Sequence, residues 1–242
     1  MTDKSAILKT KGVEAVDKAL RILTLFDSQS PVLSLHDISQ RTGLVKSSTL
    51  RLLVSLQSAG LLATTPDRRY TIGIEAFRIG RVYQRTFRLD TVIRPALKKL
   101  VQATGESGSF FRREGDQRVC LFREDTNEPL REHIAEGDSV PIGRGAAGRV
   151  FLHFSDHDGM GPASHDELSL LPVMTIGERG PDIAGMSVPI FAIDQGMIGA
   201  LTLSGPSTRF TEERVSAMKP LLVRAAADIC YNLRSPFYEL LG

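Results

Sequence analysis

The apolar positions in the first part of the chain recur at helical spacing in three successive segments. Residues 13–26 predict an amphipathic helix, and we expect its inward-facing positions to be Val16, Leu20, Leu23 and Phe26. A shorter helix is predicted to begin at Ser34 or Leu35, with Leu35 and Ile38 as its apolar positions, and to end at Gly43. A tight turn through residues 42–44 then leads into a third helix, which begins near Lys46.

The third segment separates its buried positions from its polar ones on two faces of a helix. Positions i, i+3, i+4 and i+7 form one buried stripe, made of Thr49, Leu52, Leu53 and Leu56. The opposite face carries small polar side chains and one arginine, namely Ser47, Ser48, Arg51 and Ser55. A short, polar and locally basic helix face fits the major groove of DNA. The two helices therefore predict a helix-turn-helix unit whose second helix reads bases.

A hairpin is predicted directly after the third helix. Its two strand-like runs, residues 61–65 and 70–72, flank the turn Pro66-Asp67-Arg68-Arg69. We expect Arg68 and Arg69, at the hairpin tip, to reach phosphate groups or a minor groove beside the second helix. A helix-turn-helix followed by such a hairpin is a winged helix. The alternative is a plain helical hairpin whose polar face only meets solvent.

The rest of the chain predicts an α+β unit with an antiparallel sheet. Helices are expected at 91–104, before Gly105, at 145–154 and at 211–233. Strands are expected at 107–112, 118–123, 130–135, 185–191 and 197–204. Strand pairs bracketed by helices are typical of this fold class.

The order of these elements predicts three parts. Residues 1–73 form the winged helix-turn-helix domain, which begins with a basic tail containing Lys4, Lys9 and Lys11. Residues 74–90 form a connecting helix, whose arginines we expect in solvent rather than near the DNA backbone. Residues 91–242 form the second domain.

Charge is distributed unevenly between these parts. The net charge is only +2, but residues 1–90 contain 14 Lys and Arg against 8 Asp and Glu, whereas residues 91–242 contain 16 against 20. The basic part coincides with the winged helix, as binding to phosphate requires. The chain has no membrane-length apolar run and no signal-peptide core, so we expect a cytoplasmic protein. Cys120 and Cys230 are expected to be buried small hydrophobic side chains.

Several short motifs, in this order and spacing, resemble those of the IclR family of bacterial transcriptional regulators along nearly the whole chain. The motifs are Ala19-Leu20-Arg21-Ile22-Leu23, Gly43-Leu44-Val45-Lys46-Ser47-Ser48, Arg51-Leu52-Leu53, Arg69-Tyr70, Gly73, residues 141–149, Val188-Pro189-Ile190-Phe191 and residues 204–210. The resemblance implies a repressor of catabolic genes that binds double-stranded operator DNA. It also implies a GAF-like C-terminal domain for a small organic-acid effector, and a homodimer or homotetramer in which the first helix helps to pair two DNA-binding domains. Leu50 departs from the family pattern, which has an aromatic residue or His there, and suits a thymine methyl group rather than a polar base contact.

A run of small residues, Gly143-Arg144-Gly145-Ala146-Ala147-Gly148-Arg149, opens the helix predicted at 145–154. Exposed backbone N–H groups and the helix dipole favour an anion there, so we expect Gly145, Ala146, Ala147 and Gly148 to bind the carboxylate of an effector. The alternative is that the glycines only allow close packing of helix on sheet. The resemblance adds Gly185, Thr202 and Ser204 on two strands. Glu178 and Asp182 either close over the pocket or are loop charges in solvent.

Enzymatic and metal-binding functions have little support in the sequence. It contains no nucleophile elbow, Walker loop or dinucleotide fingerprint, so we expect neither catalysis nor a cofactor. His153, His157 and His165 lie near three aspartates, but no cysteine is nearby and residues 159–162 leave a helix, so a surface loop is favoured over a metal site. The competing function is a GAF-like sensory module that acts through protein partners and uses its winged helix only to dimerise.

Overall fold

The computed structural model describes residues 12–27, 29–87, 89–193 and 195–241, and of residues 83–87 and 241 it describes only the backbone. The predicted basic tail, residues 1–11, lies outside the described residues. The chain divides into two compact units, which meet in sequence between residues 87 and 88.

The first unit is a winged helix followed by a longer helix. Its elements are α1 (Glu14–Leu23), β1 (Val32–Leu33), α2 (Leu35–Thr42), α3 (Lys46–Ser58), β2 (Leu62–Thr64), β3 (Tyr70–Ile72) and α4 (Ile74–Phe87). The sheet has the order β1-β3-β2, with both pairs antiparallel, so the hairpin β2–β3 forms the wing. The predicted helix-turn-helix and hairpin are confirmed.

The core of this unit is formed by the buried faces of α1, α2 and α3 together with two strand residues. Its fully or nearly buried apolar side chains are Ile22, Leu33, Ile38, Leu53, Leu56 and Leu62. Thr49 is also fully buried and Leu52 packs against the cluster, which confirms the stripe expected on α3.

The prediction for α1 was partly wrong. Leu23 and Phe26 pack against the core as expected, but Val16 and Leu20 are each 52% exposed, and Ile22 is fully buried instead. Helix α1 carries apolar side chains on two faces, and periodicity alone cannot decide which face meets α2 and α3.

The second unit is a six-stranded antiparallel sheet covered by helices. Its elements are α5 (Asp90–Thr104), β4 (Ser107–Glu114), β5 (Gln117–Glu124), β6 (Ser139–Pro141), α6 (Gly145–Phe154), α7 (His165–Ser169), β7 (Val173–Ile176), β8 (Ile183–Ala192), β9 (Gly196–Pro206) and α8 (Glu212–Asn232). The strand order is β6-β5-β4-β9-β8-β7. The short elements α7 and β7 were not expected from the sequence, whereas the long helices and the two central hairpins were.

The pairing register of the central strands decides which residues face α6. Gly185 on β8 lies opposite Ser204 on β9, and Ser187 lies opposite Thr202. Directly paired residues share one face of a sheet. Ala146 of α6 lies against Gly185, so these four strand positions are on the α6 side.

The strand expected at residues 130–135 was wrong. This segment is irregular, and the edge strand β6 is formed by Ser139–Pro141 instead. Its backbone carbonyl groups accept hydrogen bonds from arginine side chains: Arg209 Nη1 donates to Leu130 O at 2.9 Å, and Arg123 Nη2 donates to Glu132 O at 3.0 Å. Because these bonds replace a strand ladder, the alternating pattern of the sequence does not produce a strand here.

Gly199→Ala is expected to destabilise the second unit. A Cβ atom at this position would lie 2.5 Å from the carbonyl oxygen of Phe111, so β4 and β9 would have to move apart. Overpacking of a core costs about 1–3 kcal/mol, and the required backbone displacement places this change at the upper end. Differential scanning calorimetry of the full chain measures the loss.

Gly143→Ala is the matched control, because a Cβ there meets nothing within 4 Å. Its expected effect on the free energy of unfolding is about 0.5 kcal/mol or less. Equal melting temperatures for both variants would contradict the close approach of β4 and β9.

Candidate nucleic-acid interface and ligand pocket

The turn between α2 and α3 holds the third helix in place. Gly43 ends α2 with a φ of 71°, a left-handed conformation that favours glycine. Across the turn, the buried Ser39 hydroxyl donates a hydrogen bond of 3.2 Å to Thr49 Oγ1. Together with the buried Leu53 and Leu56, this contact directs the opposite face of α3 towards solvent.

The outward face of α3 carries the side chains that the sequence predicts to contact DNA. Lys46, Ser47, Ser48 and Arg51 are all exposed. Val45, Leu50 and Val54 are exposed beside them, at 68%, 43% and 58%. Sequence reasoning overlooked Val45 and Val54, although neither belongs to the buried stripe. Apolar side chains on such a face can contact thymine methyl groups.

The N-terminus of α3 has no side-chain cap, in contrast with that of α2. The Ser34 hydroxyl accepts a hydrogen bond from the backbone N–H of Asp37, and the Asp37 carboxylate accepts one from the N–H of Ser34. Val45, at the equivalent position before α3, has no side-chain acceptor, and the first turn of α3 contains no acidic residue. The first N–H groups of α3 and its positive dipole end are therefore open to a phosphate group.

The two arginines of the wing differ in their surroundings. Arg69 Nε donates a hydrogen bond of 2.6 Å to Asp67 Oδ2. The hydrogen bond from the Thr65 hydroxyl, followed by that from Arg69, holds the pKa of Asp67 below its usual range. Arg68 lies at the hairpin tip with a φ of 61°. In the part of the chain that the structure describes, its guanidinium has no ion pair. In the wing, the charge of Arg69 is therefore neutralised by Asp67, whereas the charge of Arg68 is not neutralised by an ion pair.

The second unit contains a cavity between α6, the β7–β8 loop and the sheet. It is lined by six of the predicted effector residues, namely Gly145, Ala146, Ala147, Gly185, Thr202 and Ser204. Its volume is about 20 Å³, which is room for a single water molecule. The cavity is therefore filled almost completely by the protein's own side chains.

The other three predicted effector residues do not line this cavity. A Cβ atom on Gly148 would overlap the carbonyl oxygen of Ile142, so this glycine serves the close packing of α6. Asp182 is an exposed loop residue. Gly148 and Asp182 thus lie outside the cavity lining, and their part in effector binding stays a prediction.

Glu178 occupies the N-terminus of α6. Its Oε2 atom accepts a hydrogen bond of 2.9 Å from the N–H of Gly145, and its Oε1 atom accepts one of 3.0 Å from Arg149. The bond from Arg149, followed by that from Gly145, lowers the pKa of the Glu178 carboxyl. The anion that the helix terminus favours is therefore supplied by the protein itself in this structure.

Sequence reasoning missed three charged side chains in the cavity wall: Arg118, Glu132 and Arg179. Arg118 is 1% exposed, and its Nη1 atom donates to the carbonyl oxygens of Pro141 and Arg144 at 2.9 Å and 2.7 Å. Burial lowers the pKa of Arg118 to about 10, and the positive charge of Arg179 adds to this effect. The alternation along β5 could have revealed Arg118, because it shares the buried positions with Cys120 and Phe122.

The remaining sequence predictions concern metal and membrane. No group of three His, Cys, Asp or Glu side chains among the described residues could hold a metal ion. His157 instead accepts a hydrogen bond from Gly159 N through Nδ1 and packs on Phe191 and Phe237. Within the described ranges no helix is long and apolar enough to cross a membrane.

Cys120 and Cys230 are buried and unpaired, as expected, and burial raises the pKa of each thiol to about 12.

The amino-acid sequence is similar to those of transcriptional regulators. The model of the IclR helix-turn-helix domain matches residues 15–66. The chain is 27% identical to the HTH-type transcriptional regulator BhcR of Paracoccus denitrificans, over 92% of this chain and 88% of that protein. It is 21% identical to the transcriptional repressor IclR of Escherichia coli, over 91% and 90%.

Solved structures share the fold over almost the whole chain. An IclR transcriptional regulator from Silicibacter superposes with a TM-score of 0.75 at 21% identity, over 92% of this chain and 97% of that one. An IclR homologue from Microbacterium hydrocarbonoxydans, complexed with 4-hydroxybenzoate, gives a TM-score of 0.73 at 19% identity, over 91% and 99%.

If the wing-tip arginine contacts a phosphate group rather than a base in the minor groove, Arg68→Ala is expected to weaken binding to every DNA sequence about equally. It should reduce the slope of log affinity against log salt by about 1. Arg69→Ala is the matched neighbour and should have a smaller effect, since Asp67 already balances its charge. Fluorescence anisotropy over a salt series measures both slopes, and a larger change for Arg69→Ala would contradict this account of the wing.

Val45→Asp is expected to stabilise the first unit and to weaken DNA binding several-fold. An aspartate at the N-cap satisfies the open N–H groups of α3 and adds about 1 kcal/mol to the free energy of unfolding, but its charge repels phosphate. Val45→Ser caps the helix without a charge and should weaken binding less. Calorimetry and anisotropy measure the two effects. If Val45→Asp binds DNA as tightly as the unmodified chain at low salt, no phosphate lies at this terminus.

Proposed function

Because the chain belongs to the IclR family of transcriptional regulators, we propose that it represses catabolic genes by binding operator DNA and that a small organic acid in its second unit controls this binding. The observation that carries the DNA-binding part is the outward face of α3. This face is polar and basic, its helix N-terminus is open, and a buried hydrogen bond fixes the helix from behind.

The proposed contacts divide between bases and backbone. Ser47, Ser48 and Arg51 enter the major groove, where arginine can bond a guanine through two hydrogen bonds. Lys46 and the open N–H groups at the start of α3 hold a phosphate group. Arg68 and, more weakly, Arg69 bring the wing to the backbone or the adjacent minor groove.

The proposed effector is an organic acid of small size. The observation that supports a carboxylate in the cavity is that two arginines, Arg118 and Arg179, line it. The relative complexed with 4-hydroxybenzoate is consistent with an acid in this domain. Control of DNA binding requires that the effector binds one arrangement of the protein more tightly than another.

We also propose that the protein acts as a homodimer or homotetramer. Val13, directly before α1, and Val16 and Leu20 on α1 form an exposed apolar stripe, at 67%, 52% and 52%. A second copy of α1 would cover this stripe and place two recognition helices on one duplex.

The experiment that tests the proposal measures anisotropy on DNA from upstream of the protein's own gene, against a scrambled duplex of equal length near physiological salt. Selective binding by about 10³-fold or more is expected for a specific regulator. Equal and steeply salt-dependent binding to both duplexes would place the operator elsewhere or make it depend on a ligand. Absence of binding to either duplex would contradict the proposal.

Arg51→Ala tests the reading of bases. If Arg51 bonds a guanine, the substitution should cost about 1–3 kcal/mol of binding free energy on the operator and remove the preference for one base pair. Arg224→Ala removes the same charge from exposed α8 and serves as the control. A loss for Arg51→Ala that is equal on operator and scrambled DNA would make Arg51 a phosphate contact.

A further inference from the structure

Two of the three charged side chains in the cavity wall, Arg118 and Glu132, each have a buried atom without a hydrogen-bond partner. Glu132 Oε1 forms an ion pair with Arg179 Nη1 at 2.5 Å but accepts no hydrogen bond, and Arg118 Nε has no hydrogen-bond partner. The side chain of Glu132 is 3% exposed and Arg118 is 1% exposed. Buried polar atoms are nearly always hydrogen-bonded, so unsatisfied ones in a cavity need an explanation.

A second buried carboxylate, that of Glu106, is fully hydrogen-bonded, unlike that of Glu132. Glu106 is completely buried, yet its two oxygens accept hydrogen bonds of 2.8 Å and 2.6 Å from Arg209, and Arg214 adds a bond of 3.1 Å. This pair has the satisfied, two-pronged geometry of a structural ion pair. Glu132 lacks that geometry, although it is buried to a similar degree.

We propose that Glu132 is an internal competitor of the effector: its carboxylate occupies the anion position between Arg118 and Arg179, and the carboxylate of a monocarboxylic acid displaces it. This inference rests on the proposed function and names the regulation of the same pocket. The bound acid takes over Arg179 and supplies the acceptor that Arg118 Nε lacks. Glu132 then turns out of the cavity into solvent.

The surrounding backbone permits this exchange. Glu132 lies in the irregular segment at residues 130–135, and its neighbours Arg131 and His133 are exposed. Arg179 lies in the loop between β7 and β8, and its methylene groups rest on Gly145, where a Cβ atom would be 2.9 Å from Arg179 Cγ. The Glu132–Arg179 contact therefore closes the loop over the start of α6, and loss of Glu132 from the cavity releases it.

Charge and lining select the class of ligand. Two arginines and one glutamate leave the cavity wall with one net positive charge, and departure of Glu132 raises this to two while one carboxylate enters. Phe111, Ile183 and Ala184 supply the apolar part of the wall. A compact acid with one carboxylate and an apolar body, such as an aromatic monocarboxylate, meets both conditions once the departure of Glu132 and the release of the β7–β8 loop enlarge the cavity.

Isothermal titration calorimetry of the full chain with benzoate tests the inference, with benzamide as the neutral probe of the same shape. Glu132→Gln removes the competing charge and should bind benzoate at least about 10-fold more tightly than the unmodified chain. Arg179→Gln should bind it about 10-fold more weakly, because the bound carboxylate loses a partner. Glu132→Asp, whose shorter side chain withdraws the competing carboxylate, should bind it more tightly and tests the inference if Glu132→Gln does not fold. None of these variants should gain affinity for benzamide. Glu106→Gln is the matched control, expected to lose stability without a change in benzoate affinity.

The outcomes separate this inference from the proposed function. Binding of benzoate by the unmodified chain with an equal or lower affinity in Glu132→Gln would overturn the role of Glu132 alone. A gain in Glu106→Gln as large as that in Glu132→Gln would also overturn it, because loosening of the unit would then explain both. No heat with benzoate, acetate or pyruvate in either the unmodified chain or Glu132→Gln would contradict the carboxylate effector itself, and the inference with it.

Discussion

The N–H groups in the first turn of an α-helix have no partner within the helix, and this constraint shapes both functional regions of the protein. Helix α2 satisfies it locally, through the capping box of Ser34 and Asp37. Helix α6 satisfies it with a distant carboxylate, since Glu178 reaches back to Gly145. Helix α3 leaves it unsatisfied by any side chain, because Val45 has nothing to offer. The one open terminus of the three belongs to the helix that presents its polar face to solvent, where phosphate can serve as the missing acceptor.

In the second unit the groups that need hydrogen-bond partners are buried charged side chains. A buried arginine is stable only if other groups replace its hydration, and Arg118 obtains this replacement from the carbonyl oxygens of Pro141 and Arg144. One of its nitrogen atoms remains unsatisfied, next to a cavity that holds little more than a water molecule. The same unit also contains a fully satisfied cluster around Glu106. An unsatisfied buried atom beside a cavity is one that a bound ligand or an ordered water could satisfy.

The sequence predicted correctly those features that depend on residues close together in the chain, and it failed for those that depend on contacts between distant segments. The recognition helix was predictable because its period and the turn at Gly43 lie within a few residues of one another. The inward face of α1 was not, because it depends on how α1 packs against α2 and α3. The strand expected at 130–135 failed because side chains from distant arginines bind its carbonyl groups. The cluster of Arg118, Glu132 and Arg179 joins three segments far apart in sequence, and its burial contradicts the ordinary preference of charged residues for the surface.

The central claim is that α3 lies in the major groove of a specific operator, and methylation interference on that operator tests it most directly. Dimethyl sulphate methylates guanine at N7 in the major groove and adenine at N3 in the minor groove. The account predicts that methylation at guanine N7 blocks binding in a short patch and, for a dimer, in two patches about one helical turn or a multiple of it apart. Selective binding that persists after every guanine N7 is methylated, and that is lost on methylation of adenine N3, would contradict it, because the bases would then be read from the minor groove.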